Sequence, residues 1–128
     1  MENPHRIRVY QCACVYARNV HRAALGFPAH FLSTLVAQLE DAAESIGSNI
    51  VEGCGRKNTN HSNAELIRYL HFSVASANEA QHRARGGYHR GFIARKPYWQ
   101  LENQIVLIKK MLAKWIKALE EGDRGRRD

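Results

Sequence analysis

The chain has 128 residues, 45% of them hydrophobic, with 19 Lys and Arg against 12 Asp and Glu and a net charge of +7. That length and apolar content suit one domain with a single core. No apolar run approaches the ~20 residues of a membrane span, the longest notable one being Ile105-Val106-Leu107-Ile108, and Met1-Glu2-Asn3-Pro4-His5 has no signal-peptide core. The expectation is a cytoplasmic protein without a membrane partner. The three cysteines, Cys12, Cys14 and Cys54, fit reduced thiols better than a disulfide framework. The basic excess favours a polyanionic partner such as RNA, DNA or a ribosome, although plain solubility charge would give the same sum.

The first helix is predicted over His5 to Ala24, with Tyr10, Cys14, Ala17 and Val20 at helical spacing and Ala13 and Tyr16 widening the face. Cys12 and Cys14 point about 200° apart on such a helix and do not share one metal ion easily. Gly26-Phe27-Pro28 ends the element. A second helix runs from Ala29 to Cys54, near 40 Å at ~1.5 Å per residue, which suits a bundle. Leu32, Leu35, Leu39, Ala43, Ile46 and Ile50 form its apolar stripe. Beside that stripe Ser45, Asn49, Glu52 and Arg56 fall at i, i+4, i+7 and i+11. Buried carboxylates and amides need partners, so this ridge is expected to face another helix. It reads either as an internal hydrogen-bond network or as a ligand or partner site. Gly53 and Gly55 then punctuate the helix end.

Gly55-Arg56-Lys57-Asn58-Thr59-Asn60 is a polar loop without the spacing of a phosphate loop. The third helix is predicted from Ser62 to Arg85, with Ser62 and Glu65 as a capping box and Leu66, Leu70, Val74 and Ala77 as its stripe. Between residues 81 and 96 the chain turns basic. Arg83, Arg85, Arg90, Arg95 and Lys96 interleave with Tyr88, His89, Phe92, Tyr98 and Trp99, which suits phosphate contact with base stacking; a solvated elbow is the plainer reading. The fourth helix follows Pro97 to about Glu120. Leu101, Ile105, Ile108, Leu112, Trp115 and Leu119 alternate four and three apart as a heptad seam. Leu107 and Met111 widen this arc beyond what one core face needs, pointing to a second subunit or to a wide intramolecular core. Residues 122–128 read as a polar, mobile C-terminal tail.

The segment Ser45-Ile46-Gly47-Ser48-Asn49-Ile50-Val51-Glu52-Gly53-Cys54-Gly55-Arg56 resembles the S-I-x-x-N-I-x-E-G-x-x-R hallmark of the 23S rRNA intervening-sequence proteins, also labelled S23 ribosomal proteins, without a mismatch. Ile7-Arg8-Val9-Tyr10-Gln11, Phe27-Pro28, Leu66-Ile67-Arg68-Tyr69-Leu70 and Ser76 with Glu79 resemble flanking elements in the right order. The resemblance covers roughly residues 6 to 120. It implies an all-α, antiparallel up-and-down four-helix bundle, here over residues 1–121. The family is similar to the accessory variability proteins of diversity-generating retroelements, whose basic pentameric barrels engage nucleic acid; by that similarity a ring-shaped homopentamer is expected.

No Ser–His–Asp or Cys–His pattern, paired carboxylates or nucleotide fingerprint is present, and the seven histidines show no ligand spacing. No catalytic residue, cofactor or metal is assigned. The expected function is that of a non-enzymatic oligomeric bundle that binds RNA or other nucleic acid. Its contacts would be Arg83, Arg85, Arg90, Arg95, Lys96, Lys109, Lys110, Lys114 and Lys117. The alternative is a protein-interaction scaffold. Ser45, Asn49, Glu52, Arg56 and Arg68 are assigned to the motif's polar network, with Arg56 and Arg68 as candidate partners of a buried Glu52.

Overall fold

The computed structural model describes residues 4–56 and 62–127. Four α-helices account for most of them: α1 (Pro4–Ala24), α2 (Ala37–Gly55), α3 (Ala64–His89) and α4 (Arg95–Arg127). There is no strand among the described residues. The 57–60 part of the expected polar loop and His61 lie outside the described residues.

On α1 the buried positions are Val9, Ala13, Tyr16, Val20 and Ala24. The predicted stripe is rotated by about one residue. Tyr10 stays 38% exposed, and its ring lies along the α1–α2 edge against Gly47, with Cε1 3.5 Å from where a Cβ would stand. The second helical run begins irregularly, with a 3₁₀ turn over Ala29–Phe31 and a π turn over Leu32–Val36. A π turn accommodates an extra residue and shifts the helical phase. Leu32 is therefore 59% exposed and Val36 takes the inward position, while Leu39, Ala43, Ile46 and Ile50 are buried as the stripe predicts.

Helix α3 starts at Ala64, with Ser62 outside it. The Ser62 Oγ accepts from the Ala64 backbone N–H at 3.1 Å, and Glu65 pairs with Arg68 at 3.4 Å, so no capping box closes. Nor does α3 stop at Arg85. The positions that face the core are Ala80, Ala84 and Gly87, all small, and the arginines fall on either side of them. The basic residues therefore flank the core-facing line without occupying it, and the helix runs on to His89.

Helix α4 begins two residues before Pro97, which lies in the first turn where a missing N–H costs nothing. All six predicted seam residues are buried, Trp115 to 1% exposure, and Tyr98 and Ile116 join them. The helix continues past Glu120 to Arg127, drawing most of the segment read as a tail into regular structure. Asp123 helps hold it there. Its carboxylate accepts from the Asn63 backbone N–H at 3.1 Å and from Asn63 Nδ2 at 3.0 Å.

The packed pairs are α1–α2, α2–α3, α3–α4 and α1–α4, a four-helix bundle around one continuous core. The α1–α2 turn meets the α3–α4 turn through Phe27 and Phe92, ring centroids 5.3 Å apart. That turn is tight. Gly91 takes φ 79°, where a glycine is at ease, and the Phe92 and Ile93 N–H groups both reach back to the Gly87 carbonyl.

Two neighbouring glycines on α3 give a contrast. A Cβ on Gly87 would stand 2.7 Å from Phe27 Cζ and 3.0 Å from Ile93 Cδ1, whereas one on Gly86 would meet nothing. Gly86→Ala is expected to stabilise by roughly 0.5–1 kcal/mol through helix propensity. Gly87→Ala is expected to destabilise despite the same gain, because the ring cluster is already close-packed. Urea unfolding of the two variants measures both signs.

Candidate functional site

The motif lies on the seam between α2 and α3. Ile46 and Ile50 fill the core. The fully buried Ser73 hydroxyl of α3 donates to the Ile46 carbonyl at 2.8 Å. One turn along, Ser45 Oγ and Ser76 Oγ share a hydrogen bond at 2.8 Å. Asn49 Nδ2 donates to the Ser45 carbonyl at 2.8 Å and to its Oγ at 3.0 Å. Gly53 is inside the helix and does not act as its stop. A Cβ there would lie 2.8 Å from Tyr69 Cβ and 3.1 Å from Leu66 Cδ1. The short side chains let two helices approach closely, and the serines satisfy the polar groups this brings together.

Glu52 and Arg56 depart from the expected buried network. Arg56 Nε donates to Glu52 Oε1 at 2.9 Å, with both side chains about half exposed at 51%. Glu52 sits two residues past buried Ile50, which turns it away from the core. The Glu52 carboxylate, and Tyr69 after it, push the Arg56 guanidinium above its ordinary value. Arg56 lies over the Tyr69 ring at 5.2 Å, and Arg68 lies over Phe72 at 5.1 Å and Tyr69 at 5.7 Å. Arg68 thus partners Glu65 and two rings, not Glu52. Sequence reasoning missed Ser73, Tyr69 and Phe72. Ser73 sits three residues past core Leu70 and before core Ala77, a spacing that places a hydroxyl on the buried face.

The basic elbow is more ordered and less free than its composition implies. Tyr88 and Tyr98 stack at 4.2 Å with planes 4° apart. Phe92 packs on Phe27 and Phe31, and Tyr98 is buried. These rings hold the elbow together, while Trp99 stays 48% exposed with its ring in edge contact with Tyr98. The cations divide in the same way. Arg85 lies 3.8 Å from Glu102, and the Tyr98 phenol beside it, then Glu102, push its guanidinium up. Arg83 lies 3.8 Å from Glu79. Lys109 donates to Asn78 Oδ1 at 3.1 Å and Gln81 Oε1 at 2.7 Å, and Gln81 in turn donates to Glu102. Arg85 and Lys109 therefore belong to the polar lattice between α3 and α4.

Other cations stay available. Lys96, Lys110, Lys114 and Lys117 are exposed on the outward side of α4, spaced so that they share one face with Trp99, Asn103 and Leu107. None of these lysines has a carboxylate partner among the described residues. From Lys96 to Lys117 the stripe is about 32 Å long at ~1.5 Å per residue. Arg95, Lys96, Trp99, Gln100 and Asn103 line an open depression at its start. There the first turn of α4 has no acidic residue, and its unpaired N–H groups add positive potential.

No cluster of His, Cys, Asp or Glu able to hold a metal occurs among the described residues, and none of the described helices is long and apolar enough to cross a membrane.

The seam and the exposed pair separate under mutation. Gly53→Val should cost roughly 1–3 kcal/mol or more by forcing α2 and α3 apart. Ser73→Ala should cost about 1 kcal/mol through the buried hydrogen bond. Glu52→Ala should leave the melting temperature close to that of the parent, since the pair it breaks is solvated. Thermal unfolding of the three variants checks the order.

The sequence profile of the 23S rRNA-intervening sequence proteins matches residues 5–114. No curated protein matches the chain significantly. Among solved structures, the fold is similar to that of a protein of unknown function from the S23 ribosomal protein family of Bacteroides thetaiotaomicron. The two share 23% identity and a TM-score of 0.73, over 88% of this chain and 98% of that one. At that identity the likeness speaks for the fold. The profile match spans most of the chain and contains the whole α2 motif, so the protein belongs to the 23S rRNA-intervening sequence protein family.

Proposed function

We propose that this protein is a non-enzymatic, cytoplasmic, oligomeric bundle that binds RNA or another nucleic acid along the outward face of α4. The observation that carries the reading is the stripe of unpartnered lysines, Lys96, Lys110, Lys114 and Lys117, with exposed Trp99 and Arg95 at its head. A row of cations tracks a phosphate backbone, and an exposed indole offers a face for an unpaired base. The net charge of +7 supports long-range attraction of a polyanion.

The proposal includes an antiparallel up-and-down arrangement, supported by the Asn63–Asp123 tie between the start of α3 and the end of α4. It also includes assembly into a closed ring of about five chains, the count suggested by the likeness to retroelement accessory variability proteins. Two apolar depressions between α1 and the second helical run support a subunit contact. One is about 280 Å³ and lined by Tyr10, Cys14 and Val51 among others. The other is about 260 Å³ and includes Leu25 and Leu32. These same depressions favour a second reading, a scaffold for a protein partner with no nucleic-acid role.

Five cations on a single strand, each contributing about −0.7, give a slope of about −3.5 in log affinity against log salt. Reversing Lys110, Lys114 and Lys117 to Glu should weaken binding and reduce that slope by about 2. Fluorescence anisotropy with a short oligoribonucleotide over a salt series measures both. Binding that ignores salt and survives the reversal would overturn the nucleic-acid reading. Light scattering checks assembly: a mass of about five chains is expected, and a monomer at all concentrations would exclude the ring.

A further inference from the structure

Beyond the α4 stripe, a second group of cations surrounds a small recess where α3 meets the first turns of the second helical run. Its volume is about 100 Å³, a few times the ~30 Å³ that a water occupies in the liquid. Phe27, Leu35 and Gly87 give it apolar walls, and His82, Arg83 and Arg90 are its polar members. It exists because of Gly86 and Gly87: without side chains, they let the helix surface be hollow at this point. Gly87 could not carry a Cβ without meeting Phe27.

The arginines around it make no side-chain hydrogen bond among the described residues, although Arg83 keeps a loose ion pair with Glu79. Arg83 Nε is shut off from solvent and has no acceptor, while the outer end of the same guanidinium is 3.8 Å from Glu79, beyond hydrogen-bonding distance. A buried guanidinium nitrogen without an acceptor is a costly arrangement that asks for an explanation. Arg90 follows the last residue of α3 and has no carboxylate partner among the described residues. His82 is exposed at the rim.

We propose that this recess is a phosphate-monoester site, and that it takes the terminal phosphate of a nucleic-acid strand. The identification of the strand rests on the nucleic-acid reading above. Arginine forks match phosphate oxygens in a way that a point charge does not. The recess has room for one tetrahedral group, and Phe27 and Leu35 supply its apolar lining. A chain end can enter it, but a phosphodiester, with a sugar on each side, would have to thread through. A monoester also brings about −1.5 to −2 charges at neutral pH, against one for a diester, which suits a group of several cations. In this arrangement α4 holds the strand and the α3 recess reads whether its end is phosphorylated.

The test compares one short oligoribonucleotide in three forms, with a 5′-phosphate, a 3′-phosphate or hydroxyls at both ends. At least one phosphorylated form is expected to bind on the order of tenfold more tightly, about 1.4 kcal/mol, than the hydroxyl form. Arg83→Gln and Arg90→Gln should each remove that preference while leaving affinity for the hydroxyl form in place, and Arg83→Lys should restore only part of it. Equal binding of all three forms by the parent protein would overturn the recess proposal and leave the α4 reading standing. If no form binds, the nucleic-acid reading falls. Inorganic phosphate titrated against the Arg83 Nε–Hε resonance then decides the recess alone. A saturable shift that is absent in Arg90→Gln supports a monoester site, and no shift overturns it.

Discussion

Two helices cannot approach closely unless the residues between them are small, and the polar groups brought together must then bond to one another. That constraint is met between α2 and α3. Gly53 leaves no room for a Cβ against Tyr69 and Leu66. Where the helices run on, Ser73 bonds the Ile46 carbonyl and Ser45 meets Ser76. The hydroxyls are short enough to fit the gap and polar enough to satisfy what the gap buries. The buried part of the motif is therefore the chemistry of a helix–helix contact, in which Ser45 and Asn49 serve packing while Glu52 and Arg56 stay in solvent.

Placing α3 this way sets up both candidate surfaces. The inward face of α3 is given to Ala77, Ala80, Ala84 and Gly87, so Arg83, Arg85 and His82 project to its flanks. One flank meets α4, where Gln81, Lys109, Glu102 and Arg85 interlock. The other borders the turn that carries Phe27, where the recess forms. Because the α3–α4 lattice absorbs Lys109 and Arg85, the lysines left free are those on the far side of α4. A charge map of the sequence weights all of these cations equally, whereas the packing distributes them between structural and available roles.

The aromatic residues of the elbow show the same division. Their interleaving with arginines is the pattern of a base-stacking surface, but stacking partners inside the protein compete for the same faces. Tyr88 uses its face on Tyr98, and Phe92 is shared between Phe27 and Phe31. A tight turn with Gly91 at positive φ brings these rings within reach of each other, and burying them outweighs leaving them for a ligand. Trp99 escapes because it lies one residue past buried Tyr98, on the solvent side of α4.

Helix number, helix order and the whole inward seam of α4 were legible in the sequence, because a 3.6-residue period in apolar residues needs only local geometry to be read. The family was legible too, since its motif is one continuous segment. The phase of the first turns after Pro28 was not, because a π turn shifts register without a mark in composition, and on α1 the broad spread of apolar residues left the inward face open until α2 and α4 were set against it. The burial of Glu52 was misjudged because a ridge two residues off the core stripe lies at the boundary, and only the position of α3 decides on which side it falls. The end of α3 at Arg85 was misjudged because its basic residues were weighed by composition, whereas Ala80, Ala84 and Gly87 carry the core face and Gly87 lies against Phe27 and Ile93. Sequence alone determined where the charges and rings lie along the chain. The tertiary structure decided which of them remain unpaired, because pairing depends on residues far away in the chain that packing brings within a few ångströms.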